Sequence, residues 1–155
     1  MTATPKAGKR ARPASAIQRD NRGLKVSIPS RVAAIEEVCG EIRALLRRRH
    51  LEPMQFPVEL VARECLNNAI THGNRGRAGH RVSLAMRIGR KRICLRIADQ
   101  GAGFDWRRRH RLCWPAATHA GGRGLLVASV YAQRVAFNRS GNQVTLWFNT
   151  EMEGR

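Results

Sequence analysis

The stretch Val82-Ser83-Leu84-Ala85-Met86-Arg87-Ile88-Gly89-Arg90-Lys91-Arg92-Ile93-Cys94-Leu95-Arg96-Ile97-Ala98-Asp99-Gln100-Gly101-Ala102-Gly103-Phe104-Asp105 decides how the rest of the chain is read. Val82, Leu84 and Met86 alternate with polar or small residues, as do Ile93, Leu95 and Ile97, and period-two alternation marks a strand with one buried face. Gly89-Arg90-Lys91 sits between the two runs as a turn, so they predict a hairpin. The second strand ends in Asp99, and glycines at alternate positions after it let a flat ligand approach the backbone closely.

Working upstream, Val58, Val61, Cys65 and Ala69 form one helical stripe that stops near Gly73, after a loop punctuated by Pro53 and Pro57. Before that loop, Val32, Ile35, Val38, Ile42, Leu45 and Leu46 line one face of an earlier helix, with Ser30 placed to cap it and Arg47, Arg48 and Arg49 at its C-terminal end. Leu24, Val26 and Ile28 alternate as a strand that Pro29 ends. Downstream, a basic stretch from Trp106 to His119 reads as a loop or lid. Gly121, Gly122 and Gly124 open an apolar helix over Leu125 to Tyr131. Two strands, Val135 to Asn138 and Val144 to Phe148, follow around a Ser140-Gly141-Asn142 turn, giving the order β, α, α, β, β, loop, α, β, β.

At 155 residues and 43% hydrophobic content the chain suits one domain with one core. It has no apolar run of the roughly 20 residues needed to span a bilayer and no secretory leader at its start, so a cytoplasmic location is expected. Cys39, Cys65, Cys94 and Cys113 lack C-x-x-C spacing, and buried thiols are expected rather than disulfides. The 29 Lys and Arg against 11 Asp and Glu give a net charge of +18, which raises a polyanionic or acidic partner. Residues 1–23, with Lys6, Lys9, Arg10, Arg12, Arg19, Arg22, Pro5 and Pro13, read as a disordered basic arm dispensable for folding; the domain is expected over 24–150 and a tail over 151–155.

Three constellations carry chemistry. Glu64 and Asn68, four apart on the second helix, project from one face with His72 a turn further on; a carboxylate and an amide oxygen aimed together suit Mg²⁺ and a water, while the plain alternative is a solvated helix face. Asp99 is an acceptor for an exocyclic amine such as that of adenine, the alternative being a turn whose Asp bonds its own backbone. Gly122-Arg123-Gly124-Leu125 opens a helix whose free amides and dipole suit a phosphate chain, the alternative being a hinge. His110, Cys113 and His119 have poor spacing for a metal, and Trp106, Trp114 and Trp147 read as packing aromatics rather than base-stacking ones.

Taken in order, Glu64-Cys65-Leu66-Asn67-Asn68 with His72-Gly73, then Asp99-Gln100-Gly101-Ala102-Gly103-Phe104-Asp105, then Gly122-Arg123-Gly124-Leu125 resemble the N box and the two glycine boxes of the GHKL (Bergerat) ATP-binding superfamily. The short spacing between the last two motifs, the small size and the lack of a dimerisation helix with a phospho-acceptor His look like the RsbW-type anti-sigma factor serine/threonine kinases. The resemblance covers about residues 24 to 149. It implies a two-layer α/β sandwich, with a mixed, mainly antiparallel sheet and helices on one face, binding ATP and Mg²⁺. Residue by residue it implies Glu64 as general base, Asn68 as Mg²⁺ ligand, Asp99 as adenine reader, Gly101 and Gly103 under the base and Gly122 and Gly124 around the phosphates. His72, Gly73, Arg123 and Leu125 belong to the same motifs, and Thr145 matches more loosely a hydroxyl near the adenine. The partners so implied are a sigma factor and a STAS-type anti-anti-sigma protein phosphorylated on Ser or Thr, with the first helix around Arg31 to Arg43 and the lid as candidate partner surfaces; such proteins are often homodimers. The basic lid, Arg107, Arg108, Arg109, His110 and Arg111, departs from the pattern. Two rivals remain: a sequestering module without kinase activity, and a nucleic-acid-binding protein using its basic surface, with nucleic acid otherwise expected only at the arm.

Overall fold

A computed structural model describes residues 14–107 and 123–151. Its six strands are β1 (Ala16–Arg19), β2 (Gly23–Pro29), β3 (Arg81–Ile88), β4 (Arg92–Ala98), β5 (Arg134–Phe137) and β6 (Gln143–Asn149), and its helices are α1 (Ile35–Arg48), α2 (Gln55–Asn68) and α3 (Arg123–Tyr131). The strands form one sheet in the order β1-β2-β3-β4-β6-β5. Every pairing among them is antiparallel, so the parallel component of the expected mixed sheet is absent among the described residues.

Alternation explains the two layers. Leu24, Val26 and Ile28, Val82, Leu84, Met86 and Ile88, Ile93, Leu95 and Ile97, and Val144, Leu146 and Phe148 are all buried, and their intervening neighbours point the other way. The helices complete the core with Ile35, Val38, Ile42, Leu45 and Leu46 from α1 and Val58, Val61, Ala62, Cys65 and Leu66 from α2. Between α1 and α2 the guanidinium groups of Arg43 and Arg63 each donate to both Glu36 and Glu59, at 2.6–3.0 Å, which fixes how the two helices lie together. The free thiols of Cys39 and Cys65 are buried and Cys94 is half-buried, as expected; desolvation pushes Cys39 up to about 11 and Cys65 to about 12, so both are inert at neutral pH. Cys113 lies outside the described residues.

Two local expectations are corrected. Ser30 does not cap α1: the chain enters through a 3-10 turn at Val32–Ala34, Ala34 precedes the helix with no side-chain cap, and the buried Ser30 Oγ has no hydrogen-bond partner among the described residues. Val32 consequently lies off the apolar stripe, 54% exposed, while Glu36 and Glu37 in the first turn complement the dipole.

The disordered arm over residues 1–23 is corrected for its last part, because Ala16–Arg19 pair with β2, with Ile17 opposite Val26 and Arg19 opposite Leu24. An edge strand needs only one inward apolar residue when its neighbours find polar partners. Ile17 is half-buried against the core, Arg19 forms a bidentate pair with Glu41 of α1 at 2.5 and 2.6 Å, and Asp20 accepts from Arg87 of β3 at 2.6 Å. Deleting residues 1–22 should therefore lower Tm by about 2–4 °C, the equivalent of about 1 kcal/mol for one half-buried Ile. Thermal denaturation followed by circular dichroism checks this, and an unchanged Tm would mean that β1 adds nothing to the fold.

Candidate functional site

Where α2 ends, the chain widens into a π-turn over Ala69–Gly73, and the N–H of Asn74 bonds the Ala69 carbonyl at 2.7 Å. That wider turn brings Asn74 inside, 1% exposed, between three segments. Its Nδ2 donates to the Arg81 carbonyl on β3 at 2.9 Å, its Oδ1 accepts the Gln100 N–H at 2.8 Å, and the His80 ring lies 3.3 Å from the same oxygen. Gln100 returns the link, its Oε1 accepting the Arg81 N–H at 2.7 Å. The end of α2 and the loop after β4 are thereby held as one unit.

The other side of that loop is fixed by the turn between β5 and β6. Asn138 Oδ1 accepts the N–H groups of Gly141, Asn142 and Gln143 at 2.8–3.2 Å, and Gly141 takes a φ of 78° that favours glycine. The Asn142 carbonyl accepts the Asp99 N–H at 2.9 Å, and its side-chain amide donates to the Gly101 carbonyl at 3.3 Å. A side chain on Gly103 or Gly141 would collide with the backbone of Ser140 or Phe104 respectively, so the two loops meet glycine to backbone. Trp106 closes the corner, its indole N–H donating to the Asn138 carbonyl at 2.9 Å and its ring stacked on Phe137, as expected of a packing aromatic.

Between the turn and the loops opens a cavity of about 460 Å³, the size of a small-molecule site. Its walls are mostly apolar, from Cys65, Ala69, Ile97, Phe104, Phe137 and Val144, with Asn68, His72, Gly73, Arg75, Asp99, Gly103 and Asn142 supplying polar groups or backbone. Asp99 is the one carboxylate among these lining residues. It accepts the Gly101 N–H at 2.7 Å and packs against the bare Cα of Gly73, where any side chain would strike the carboxylate. Burial raises the Asp99 carboxyl above its ordinary value, opposed by the Gly101 N–H and by nearby His80. An oriented acceptor in the wall of a mostly apolar cavity suits a flat base carrying an exocyclic amine.

The structure thus brings together Asn68, His72, Gly73, Asp99 and Gly103 around one cavity, with Gly101 beneath Asp99. Glu64 lies one turn before Asn68 on α2, half-buried and outside the cavity wall. Arg123, Gly124 and Leu125 form the first turn of α3, while Gly122 and the lid from Arg108 to His119, with Trp114, lie outside the described residues.

Thr145 is corrected. It sits on β6 between Arg96 and Ala136, on the sheet face away from the helices, and Val144, opposite Ile97, takes the place at the cavity. Asn74 and Asn142, which hold the loops, were missed; the only signals for them are an Asn just past a helix end and an Asn after Ser-Gly in a turn, which ordinarily mean local turn bonding.

The donor chemistry at Asn68 fits a Mg²⁺ bound together with a nucleotide, since an amide oxygen is a hard ligand. Among the described residues no group of three or more His, Cys, Asp or Glu side chains is placed to hold a metal, so such an ion would complete its shell with phosphate and water oxygens. No helix among them is long and apolar enough to cross a membrane.

Fold and site together define an ATP-binding α/β sandwich. The family model for the histidine kinase-like ATPase domain matches residues 28–148, and the chain belongs to that family, within the GHKL superfamily. Comparison with curated proteins gives no match.

Asp99→Asn separates binding from stability. The folded protein disfavours the ionised carboxylate, so Asp99 contributes less to stability as pH rises above about 4, the ordinary Asp value, and the amide removes that slope. At pH 7 the variant should melt no lower than wild type yet bind ATP at least tenfold more weakly, about 1.4 kcal/mol. Calorimetric titration and thermal melts at pH 4 and 7 measure both; unchanged affinity would remove Asp99 from the base site.

Proposed function

We propose that this chain is an anti-sigma regulatory kinase, which holds a sigma factor inactive and transfers the γ-phosphoryl of ATP to a Ser or Thr of a STAS-type partner. The observation that carries the reading is the arrangement along α2, with Glu64 one turn before Asn68, which lines the same cavity as Asp99.

In this reading the adenine amine donates to Asp99 while the apolar walls take the faces of the ring. The phosphates would lie toward the first turn of α3, where the positive end of the helix dipole suits them. Asn68 would hold Mg²⁺, which would supply neutralisation of the phosphate charge. Glu64, outside the cavity lining and one turn before Asn68, would receive the proton of a protein hydroxyl that enters there. As the hydroxyl oxygen bonds to the γ-phosphorus and the bond to the β-phosphate oxygen breaks, Glu64 takes the hydroxyl proton and ADP leaves. A general base outside the nucleotide cavity suits a nucleophile that belongs to a second protein.

The same position of Glu64 keeps a second reading in view, a nucleotide-binding module that only sequesters its partner. Glu64→Ala should retain Mg·ATP binding within about twofold and lower transfer to a STAS protein by 10²-fold or more, the range of general-base catalysis. Labelled-phosphate transfer and sigma-factor pull-down on the same preparations decide between them. Wild-type protein that holds sigma yet labels no STAS protein, with Glu64→Ala identical to it, leaves sequestration alone.

A further inference from the structure

None of the six strands contains an Asp or a Glu. The sheet face turned away from the helices is therefore uncompensated by any carboxylate of its own strands. The pairing register arranges its side chains in cross-strand rows. One row runs Gln18, Lys25, Ala85, Arg96, Thr145, Ala136, and the next Gly23, Arg87, Cys94, Trp147, Arg134.

Neighbouring residues in a row are roughly 4.8 Å apart and the rows roughly 7 Å apart, so Lys25 and Arg96 lie about 10 Å from one another across Ala85. Both are exposed, as are Arg87 and Arg134, and Asp20, in the turn before β2, pairs with Arg87 from the sheet edge. Between Lys25 and Arg96 lies a trough of about 290 Å³ floored by Ser27, Ser83, Ala85 and Ala98. Trp147 is half-buried in the adjoining row, and the Arg134 guanidinium lies over its ring, 5.0 Å from the centre, the place a stacking base would take as Arg134 turns to a phosphate.

We propose that this face binds single-stranded nucleic acid, the backbone phosphates lying along Lys25, Arg96, Arg87 and Arg134 and a base stacking at Trp147. Of these four cations Arg87 alone has an acidic partner among the described residues, Asp20, and a face so charged attracts any polyanion; the ring beside a floor of small side chains favours a strand with unpaired bases, since a duplex keeps its base faces hidden. The face is distinct from the nucleotide cavity, which opens on the helix side of β4 and β6.

The test uses the full chain and fluorescein-labelled 20-nucleotide oligo(dT) and oligo(U), with anisotropy read from 50 to 200 mM KCl. Lys25→Gln with Arg96→Gln should weaken binding tenfold or more at 100 mM KCl and reduce the slope of log K against log salt by about 1.4, two contacts at about 0.7 each. Trp147→Leu should weaken binding about fivefold or more with the slope unchanged, as expected for lost stacking. Both variants should bind ATP as wild type does, which shows that they are folded and keeps this result independent of the kinase reading. Absence of binding at 50 mM KCl overturns the proposal, as does wild-type affinity in both variants, which would place the contacts elsewhere. A duplex or poly-L-glutamate that competes as well as the single strand, with Trp147→Leu neutral, overturns it in favour of a general acidic ligand.

Discussion

The site depends on the packing of the Asp99 carboxylate against the bare Cα of Gly73. That contact exists only because α2 ends in a π-turn, because Gly73 has no side chain, and because the Gly101 N–H holds one carboxylate oxygen in place. Each is a backbone condition. They leave a charged acceptor partly buried in an apolar slot, with its carboxyl raised by desolvation, a state that is unfavourable without a ligand and that a donor from a base relieves.

The sheet explains how that arrangement is kept rigid. Antiparallel alternation commits Ile97 and Val144 to the cavity side and Arg96 and Thr145 to the opposite side, so the cavity and the cationic surface are separated by a single sheet. Two asparagines extend the rigidity into the loops, Asn74 tying the end of α2 to β3 and Asn142 tying the β5–β6 turn to the Asp99 loop. Between α1 and α2, the pairs made by Arg43 and Arg63 with Glu36 and Glu59 hold the helix that carries Glu64 and Asn68.

Much of this was legible in the sequence, and the reasons differ by element. Strands β2, β3, β4 and β6 follow from clean period-two alternation, and α1 and α2 from apolar stripes, since burial of one face leaves a direct trace. The motif residues Asn68, His72, Gly73, Asp99 and Gly103 converge as the resemblance implies. Strand β1 was hidden because one inward Ile17 among polar residues carries no periodic signal and its pairing relies on Arg19 and Glu41, far apart in sequence. Ser30 looked like a cap from its place alone, yet a 3-10 turn intervenes. Thr145 was assigned to the cavity by likeness, and a shift of one residue along a strand moves a side chain to the other face. Asn74 and Asn142 act through long-range bonds, which no local pattern announces.

The central claim is that Asp99 reads the exocyclic amine of adenine. Calorimetric titration of the wild-type protein with ATP and with inosine triphosphate tests it most directly, because the two differ at that group and share ribose and phosphates. The account predicts that ATP binds at least tenfold more tightly, about 1.4 kcal/mol, since inosine offers an oxygen where the carboxylate needs a donor. Equal affinities for the two nucleotides would contradict it.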